Sequence, residues 1–118
     1  MSLVRCISLW LVEAKGYKFE PGAILRNAYL FGEDLSKVDL SEADLTGVNL
    51  SEANLTGVNL SNADLHDAYL FGANLAGANL ASADLTGADL TNAELLGATL
   101  NYTDLTGANL TRATMPKT

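Results

Sequence analysis

Leucine occupies position 25 and then every fifth position through position 110, eighteen times without interruption. We call these the central leucines. A small residue, most often Ala, lies two positions before most of them, and Asp or Asn most often lies one position before. A period of five fits neither regular element. On an α-helix five residues advance about 500°, so the leucines would form no apolar stripe, and on a straight strand successive leucines would point to opposite faces.

The pattern is satisfied if the chain bends after every five residues, so that each central leucine points to a common axis. Such a chain forms coils, and coils stack into a solenoid. Asp precedes the central leucine at intervals of twenty, and the near-duplicate segments 29–32 and 69–72 are forty residues apart, which favours a four-sided coil of twenty residues. A ten-residue similarity between segments 41–50 and 51–60 leaves the number of sides open.

The unit A-(D/N)-L-x-x in uninterrupted tandem resembles the pentapeptide repeat family. The resemblance implies an all-β solenoid, a right-handed quadrilateral (four-sided) parallel β-helix with four repeats per coil. Residues 23–112 would then form about 4.5 coils. Glu33 and Thr103 depart from the pattern because they replace the small inward residue, and Val38, Val48 and Val58 enlarge it. An unpaired buried carboxylate is costly, so we expect distortion or solvent access around Glu33.

Glycine recurs two positions after the central leucine, where a type II corner requires a positive φ. On one side of the coil this position never holds glycine. We expect that side to use a different corner type or to tolerate strain. The corner residues concerned are Glu42, Asn62, Ser82 and Tyr102.

The two ends of the chain lack the repeat. Residues 1–22 are predicted to form an N-terminal cap that covers the strand edges of the first coil. Apolar residues at helical spacing predict a short helix from about Leu3 to Lys15, and a strand through Ile7–Val12 is the alternative. Residues 113–118 form a C-terminal tail with no predicted cap. An end-to-end homodimer through the uncapped C-terminal coil is therefore one expected assembly.

Composition favours a non-enzymatic protein. The chain has 118 residues and no stretch near the ~20 apolar residues of a membrane span, and it shows no secretory signal, so a cytoplasmic location is expected. The single cysteine, Cys6, excludes an intramolecular disulfide and a multi-cysteine metal site. The single histidine, His66, is not placed with a nucleophile by any recognisable motif. We therefore expect no catalytic residues, no cofactor and no metal.

The charge distribution gives one candidate surface. Ten acids and no Lys or Arg lie between Val38 and Thr111. On a four-sided coil, four of these acids would stack along one edge as an acidic stripe, whose self-repulsion should raise some of their pKa values. The alternative is that short Asp and Asn side chains accept hydrogen bonds from the corner backbone. The stripe consists of Asp44, Asp64, Asp84 and Asp104.

Aromatic residues give a second candidate surface. Tyr29 and Phe31 share a side with Tyr69 and Phe71, two coils away. Exposed aromatic groups on one flat side are typical of partner-binding surfaces. In the alternative arrangement, Tyr29 and Phe31 pack beneath the N-terminal cap and only the second pair is exposed.

These observations predict a rigid interaction or scaffold module that binds a protein partner through a flat outer face. The alternative follows from the resemblance, because some family members are acidic rods that mimic DNA on DNA gyrase. The acidic stripe would serve that role on gyrase or another DNA-binding protein. Direct binding to nucleic acid is not expected from a chain with a formal net charge of −7.

Overall fold

The computed structural model describes residues 12–14 and 16–117. From Ile24 onward the chain winds in coils of twenty residues, and each bridged residue pairs in parallel with the residue twenty positions later. The coil therefore has four sides, which we number in chain order as faces 1 to 4. Face 1 carries Ile24, Asp44, Asp64, Asp84 and Asp104; face 2 carries Tyr29, Asn49, Tyr69, Asp89 and Asn109; face 3 carries Asp34, Asn54, Asn74, Glu94 and Thr114; face 4 carries Asp39, Asn59, Asn79 and Thr99.

The stack extends one repeat beyond the eighteen central leucines, because Thr114 pairs with Glu94 and places Met115 in a central position. This four-sided arrangement agrees with the twenty-residue spacing in the sequence. The right-handed sense of the winding stays a prediction from the resemblance.

Backbone hydrogen bonds hold each coil to its neighbours. Around Leu45, for example, its N–H donates to the carbonyl of Asp64 at 2.7 Å, and the N–H of Asp44 donates to the carbonyl of Ala23 at 2.8 Å. At the following corner, the N–H of Val48 donates to the carbonyl of Leu45 at 3.0 Å. The same pattern recurs along the rod, so most backbone N–H and C=O groups of the inner coils have hydrogen-bond partners.

Every corner has the same form. The residue two positions after each central leucine has a positive φ, and ten of these corner residues are not glycine, with φ between 58° and 64°. The corners on face 4 agree with the rest, since Glu42 has φ 61° and the turn bond from Ala43 to Leu40 measures 3.1 Å. The expectation of a different corner type on that side is wrong. The repeated hydrogen bonds between coils impose the same backbone conformation at every corner. Residues other than glycine adopt a positive φ there despite its steric cost.

The core is a column of leucines lined by the small inward residues. All central leucines from Leu25 to Leu95 are essentially inaccessible to solvent, whereas Leu100, Leu105 and Leu110 are partly buried. Burial of this column supplies the main apolar stabilisation of a chain that has only two short regular strands in its described part.

The two polar departures from the repeat are both accommodated. Glu33 is only 5% exposed, and its backbone keeps its bonds to Leu30 and Asn54 at 3.2 and 2.9 Å. The expectation of distortion or solvent access at Glu33 is therefore wrong. No buried side-chain oxygen or nitrogen of the described residues lacks a hydrogen-bond partner. Glu33 lies in the first coil, so the leucines of a neighbouring coil lie on one side of it only. Thr103 donates its hydroxyl to the carbonyl of Leu80 at 2.7 Å.

A β-hairpin leads into the first coil. Strand β1 (Val12–Ala14) pairs antiparallel with β2 (Tyr17–Phe19), and Gly16 in the connection has φ 80°. Phe19 is buried and joins the leucine column. The helix predicted to end near Lys15 is thus wrong for residues 12–14, because a turn at Gly16 allows them to pair with β2. The rest of that helix, and most of the alternative strand through Ile7–Val12, lie outside the described residues.

Candidate partner-binding surfaces

Face 2 carries four exposed aromatic side chains, which we call the aromatic wall. Their exposed fractions are 59% for Tyr29, 47% for Phe31, 55% for Tyr69 and 40% for Phe71. The rings of Tyr29 and Phe31 are stacked, with centroids 6.2 Å apart and planes 8° from parallel. Both aromatic pairs are exposed on this face. The alternative, in which Tyr29 and Phe31 pack beneath an N-terminal cap, involves residues 1–11, which lie outside the described residues.

A recess separates the two aromatic pairs. Asn49 is bridged to Tyr29 on one side and to Tyr69 on the other, so one coil with short side chains lies between the pairs. Ser51 in that coil is 9% exposed, and its N–H donates to Oδ1 of Asn49 at 3.0 Å. With coils roughly 4.8 Å apart, the two pairs are about 9.6 Å apart. The recess has a polar floor and aromatic sides.

A carboxylate lies beside this recess. Glu52 occupies the exposed corner that follows Ser51, and its side chain fills the space that a side chain at Gly72 would need. Because Gly72 directly follows Phe71, the negative charge of Glu52 lies close to the second aromatic pair. The aromatic wall is therefore bordered by negative charge.

The acidic stripe is assembled on face 1. Successive parallel bridges join Asp44 to Asp64, Asp64 to Asp84, and Asp84 to Asp104. At the N-terminal end of the stripe, Nε of Arg26 donates to Oδ2 of Asp44 at 3.0 Å, and a second guanidinium nitrogen contacts the same oxygen. The other three carboxylates of the stripe, those of Asp64, Asp84 and Asp104, lie further along the rod and outside this ion pair.

The expected rise in pKa is wrong for both ends of the stripe. The hydrogen bond from Arg26 holds the pKa of Asp44 below its ordinary value, with a smaller contribution from Thr46. The hydroxyl and N–H of Thr106 lower the pKa of Asp104 in the same way. Hydrogen bonds to the ionised form outweigh like-charge repulsion at the partly exposed Asp44 and the exposed Asp104, where water screens the charges.

Asp and Asn before the central leucines have a local structural role. Each of the thirteen Asp and Asn residues in that position accepts, through Oδ1, a hydrogen bond from the backbone N–H two residues later, at 2.9–3.1 Å. This is the alternative predicted from short polar side chains at corners. The bond needs an oxygen and no charge, so it accounts for the residue type at these positions whether the residue is Asp or Asn.

Other potential sites are few. Nε2 of the exposed His66 lies 3.2 Å from Oδ2 of its neighbour Asp67. Within residues 12–14 and 16–117 no three His, Cys, Asp or Glu side chains are grouped as they would be around a metal ion. Those same residues include no helix capable of crossing a membrane.

Sequence reasoning missed two exposed apolar side chains and one groove. Ile24 on face 1 is 73% exposed and Leu96 is 44% exposed. Ile24 directly precedes a central leucine and Leu96 directly follows one, so both occupy outward positions of the repeat. An apolar residue at such a position is the sequence signal from which this exposure could have been predicted. An open groove of about 580 Å³ at the C-terminal end is lined by residues that include Leu100, Met115 and Lys117.

A family model and several solved structures are similar to this chain. The pentapeptide repeat family model matches residues 23–62, 34–70, 63–98 and 78–115. A pentapeptide repeat protein from the cyanobacterium Cyanothece is 41% identical over 80% of this chain and 62% of its own length, with a TM-score of 0.60. One from Nostoc is 41% identical over 75% of this chain and 80% of its own length, with a TM-score of 0.66.

A pentapeptide repeat protein of the Arabidopsis thaliana thylakoid lumen is 36% identical over 75% of this chain and 66% of its own length, with a TM-score of 0.57. The chain therefore spans slightly less than two thirds of the Cyanothece and Arabidopsis proteins. A comparison with curated proteins returned no match. The five-residue period, the twenty-residue coil and a family match over most of the sequence lead to one conclusion: the chain belongs to the pentapeptide repeat family.

Proposed function

We propose that the protein is a non-enzymatic, rigid interaction module that binds a protein partner through face 2. The observation that carries this proposal is the exposure of all four aromatic side chains of the wall on one flat face. Aromatic residues are enriched at the energetic centres of protein interfaces. On a solenoid whose interior is filled with leucine, an outer face is the available place for recognition.

The rigidity of the rod favours this role. The wall residues Tyr29 and Tyr69 belong to one bridged ladder, in which the Tyr69 N–H donates to the Val48 carbonyl at 2.8 Å. A surface held in this way loses little conformational freedom when it binds. The partner would meet two aromatic pairs at a fixed separation.

A capture experiment tests the proposal. The protein is immobilised and the proteins retained from a cell extract are compared with those retained by a Tyr69→Ser/Phe71→Ser variant. Tyr102→Ser is the matched control, because Tyr102 is 91% exposed and lies outside the wall. We expect a partner that the wall variant loses and the control keeps. Absence of any partner, together with a hydrolase or transferase activity lost in His66→Ala, would overturn the proposal.

The acidic stripe supports a second candidate function, mimicry of DNA on DNA gyrase or another DNA-binding protein. Its supporting observation is the continuous ladder from Asp44 to Asp104 on face 1. The four stripe residues can be changed to Asn with little structural cost, since Asn49 and Asn54 make the same corner bond with Oδ1. In a gyrase supercoiling assay at two salt concentrations, mimicry predicts salt-sensitive inhibition that the four-Asn variant lacks. No effect of the wild type would exclude gyrase as the target.

The C-terminal end supports the proposed end-to-end homodimer. Leu100, Leu105 and Leu110 are only partly buried there and Met115 is 40% exposed. Burial of this apolar end against a second copy would remove it from water. Sedimentation should show a dimer that dissociates in Met115→Lys, and a monomer in the wild type would contradict the assembly. The cytoplasmic location is likewise a proposal, to be checked by fractionation of cells that make the protein.

A further inference from the structure

We propose that the aromatic wall binds a basic, proline-rich segment of the partner in the polyproline II conformation, lying along the rod axis. This inference rests on the proposed function and names the chemical class of its partner. It follows from the spacing of the two aromatic pairs, the polar floor between them and the charge around them.

The spacing matches the repeat of a polyproline II helix. Tyr29, Asn49 and Tyr69 are consecutive members of one bridged ladder, so the aromatic pairs are two coils apart. Two coil spacings amount to about 9.6 Å. A polyproline II helix has three residues per turn and rises about 3.1 Å per residue, which gives about 9.3 Å between residues on the same side. Prolines three positions apart would therefore each meet one aromatic pair.

The recess provides the polar contact that such a ligand needs. A polyproline II segment has no internal hydrogen bonds, and its carbonyl groups remain available to a donor. Asn49 lies midway between the pairs and uses Oδ1 to accept the Ser51 N–H, so its amide nitrogen is the group that can donate outward. Asn49 and Ser51 have shorter side chains than the Tyr and Phe residues of the coils on either side, so the aromatic rings project beyond the coil between them.

The charges favour a basic ligand. Glu52 lies at the corner beside the second aromatic pair, and Asp89 is bridged to Tyr69 on the next coil. No Lys or Arg occurs between Val38 and Thr111, so these carboxylates face no competing cation from that part of the chain. A Lys or Arg placed one or two residues beyond a wall-bound proline would come near Asp89, because one coil spacing of roughly 4.8 Å corresponds to one or two residues of polyproline II.

A β-linked glycan is the other occupant that a spaced aromatic surface would suit. An uncharged sugar chain gains nothing from Glu52 and Asp89, whereas a basic peptide gains attraction and a faster encounter. The observations therefore favour the peptide, and the glycan is an outcome of the test.

The test measures binding of a fluorescent peptide that contains two Pro-x-x-Pro segments followed by Arg, by fluorescence anisotropy with the full chain. We expect saturable binding that weakens as salt is raised. Tyr69→Ser and Phe71→Ser should each weaken binding roughly tenfold or more, and Glu52→Gln should weaken it by a smaller factor and reduce the salt dependence. Tyr102→Ser should bind as the wild type does. Amide chemical shifts should change around Asn49, Ser51 and Tyr69.

Three results would overturn the inference. The first is equal binding of a peptide in which the prolines are replaced by alanine with the charge unchanged. The second is the absence of peptide binding at millimolar protein. The third is displacement of the peptide from the wall by a soluble β-1,4-linked glucose oligomer that itself binds there.

The inference and the proposed function fail in distinguishable ways. If a folded protein partner is retained through Tyr69 and Phe71 but the proline-rich peptide does not compete with it, the partner class is wrong and the interaction face stands. If the wall variants alter neither partner capture nor peptide binding, both are wrong.

Discussion

Arg26 in the first coil and Asp44 in the second form an ion pair across the coil boundary, with Nε 3.0 Å from Oδ2. The Arg26 hydrogen bond is the largest cause of the lowered pKa of Asp44. A carboxyl group whose pKa is lower in the folded state adds stability above its unfolded pKa and loses it as pH falls through the folded pKa. The ion pair should therefore stabilise the first two coils at neutral pH and not in strong acid.

We expect Arg26→Gln to unfold slightly more easily than the wild type at pH 7, and the difference to vanish as pH falls through the lowered pKa of Asp44. The side chains are solvent-exposed in part, so high salt should reduce the effect at neutral pH. Thermal unfolding across a pH series measures it. Asp84→Asn is the control, since Asp84 lies two coils further along the same face. A difference that persists unchanged in strong acid would contradict the assignment to Asp44.

The corner bonds make a separate prediction at Asn54. Oδ1 of Asn54 accepts the N–H of Thr56 at 3.1 Å and its hydroxyl at 2.6 Å. Asn54→Ala removes the acceptor and should lower the free energy of unfolding by about 0.5–1.5 kcal/mol. Asn54→Asp keeps the acceptor and should change stability less. Denaturant unfolding of the two variants separates loss of the bond from change of charge, and equal destabilisation by both would show that the amide itself is needed.

The interior of the rod could be predicted from the sequence because one physical requirement determines it. A leucine at every fifth position can be buried only if the chain turns with the same period, and the spacing from Asp44 to Asp64 then indicates the number of sides. The same reasoning placed Tyr29 with Tyr69 and Asp44 with Asp64 on common faces, where the bridges lie. The face on which each residue lies could therefore be predicted from the period of the repeat.

Features that depend on neighbouring coils could not be predicted in this way. The positive φ of Glu42 is imposed by the shared backbone bonds of the stack and not by its own preference. The lowered pKa of Asp44 depends on the reach of Arg26, eighteen residues earlier. The hairpin of β1 and β2 replaced the last part of a predicted helix because antiparallel pairing with Tyr17–Phe19 outweighed a weak helical spacing. Local propensity is a poor guide where distant partners decide the outcome.

Burial along the leucine column predicts a gradient of mutational cost. Leu65 is completely buried between coils, whereas Leu105 is partly exposed near the C-terminal end. Leu65→Ala should lower the free energy of unfolding by about 3–5 kcal/mol, since it leaves a cavity that the rigid coils cannot close. Leu105→Ala should cost clearly less. Denaturant unfolding gives both values, and a cost at position 105 equal to that at position 65 would show that the C-terminal end is covered in solution.

Backbone strain at the corners predicts opposite effects at two exposed positions. Tyr102 has φ 61° and is 91% exposed, so replacing it removes little packing. Glycine takes this conformation without the steric cost that any Cβ incurs, and Tyr102→Gly should be more stable than Tyr102→Ala by roughly 1 kcal/mol. Gly77 has φ 69°, and no atom lies within 4 Å of the space that a Cβ would occupy. Gly77→Ala should therefore lose a similar amount through backbone strain alone.

Tyr102→Gly is compared with Tyr102→Ala, and Gly77→Ala with the wild type, by denaturant unfolding at the same pH. Because Tyr102 and Gly77 are both solvent-facing corners, contacts with the core are unchanged and the comparison isolates the cost of a Cβ at positive φ. Equal stability of Tyr102→Gly and Tyr102→Ala would mean that the coil relaxes at its end and stores no strain there. A loss confined to Gly77→Ala would locate the strain in the inner coils, where bonds on both sides hold each corner in place.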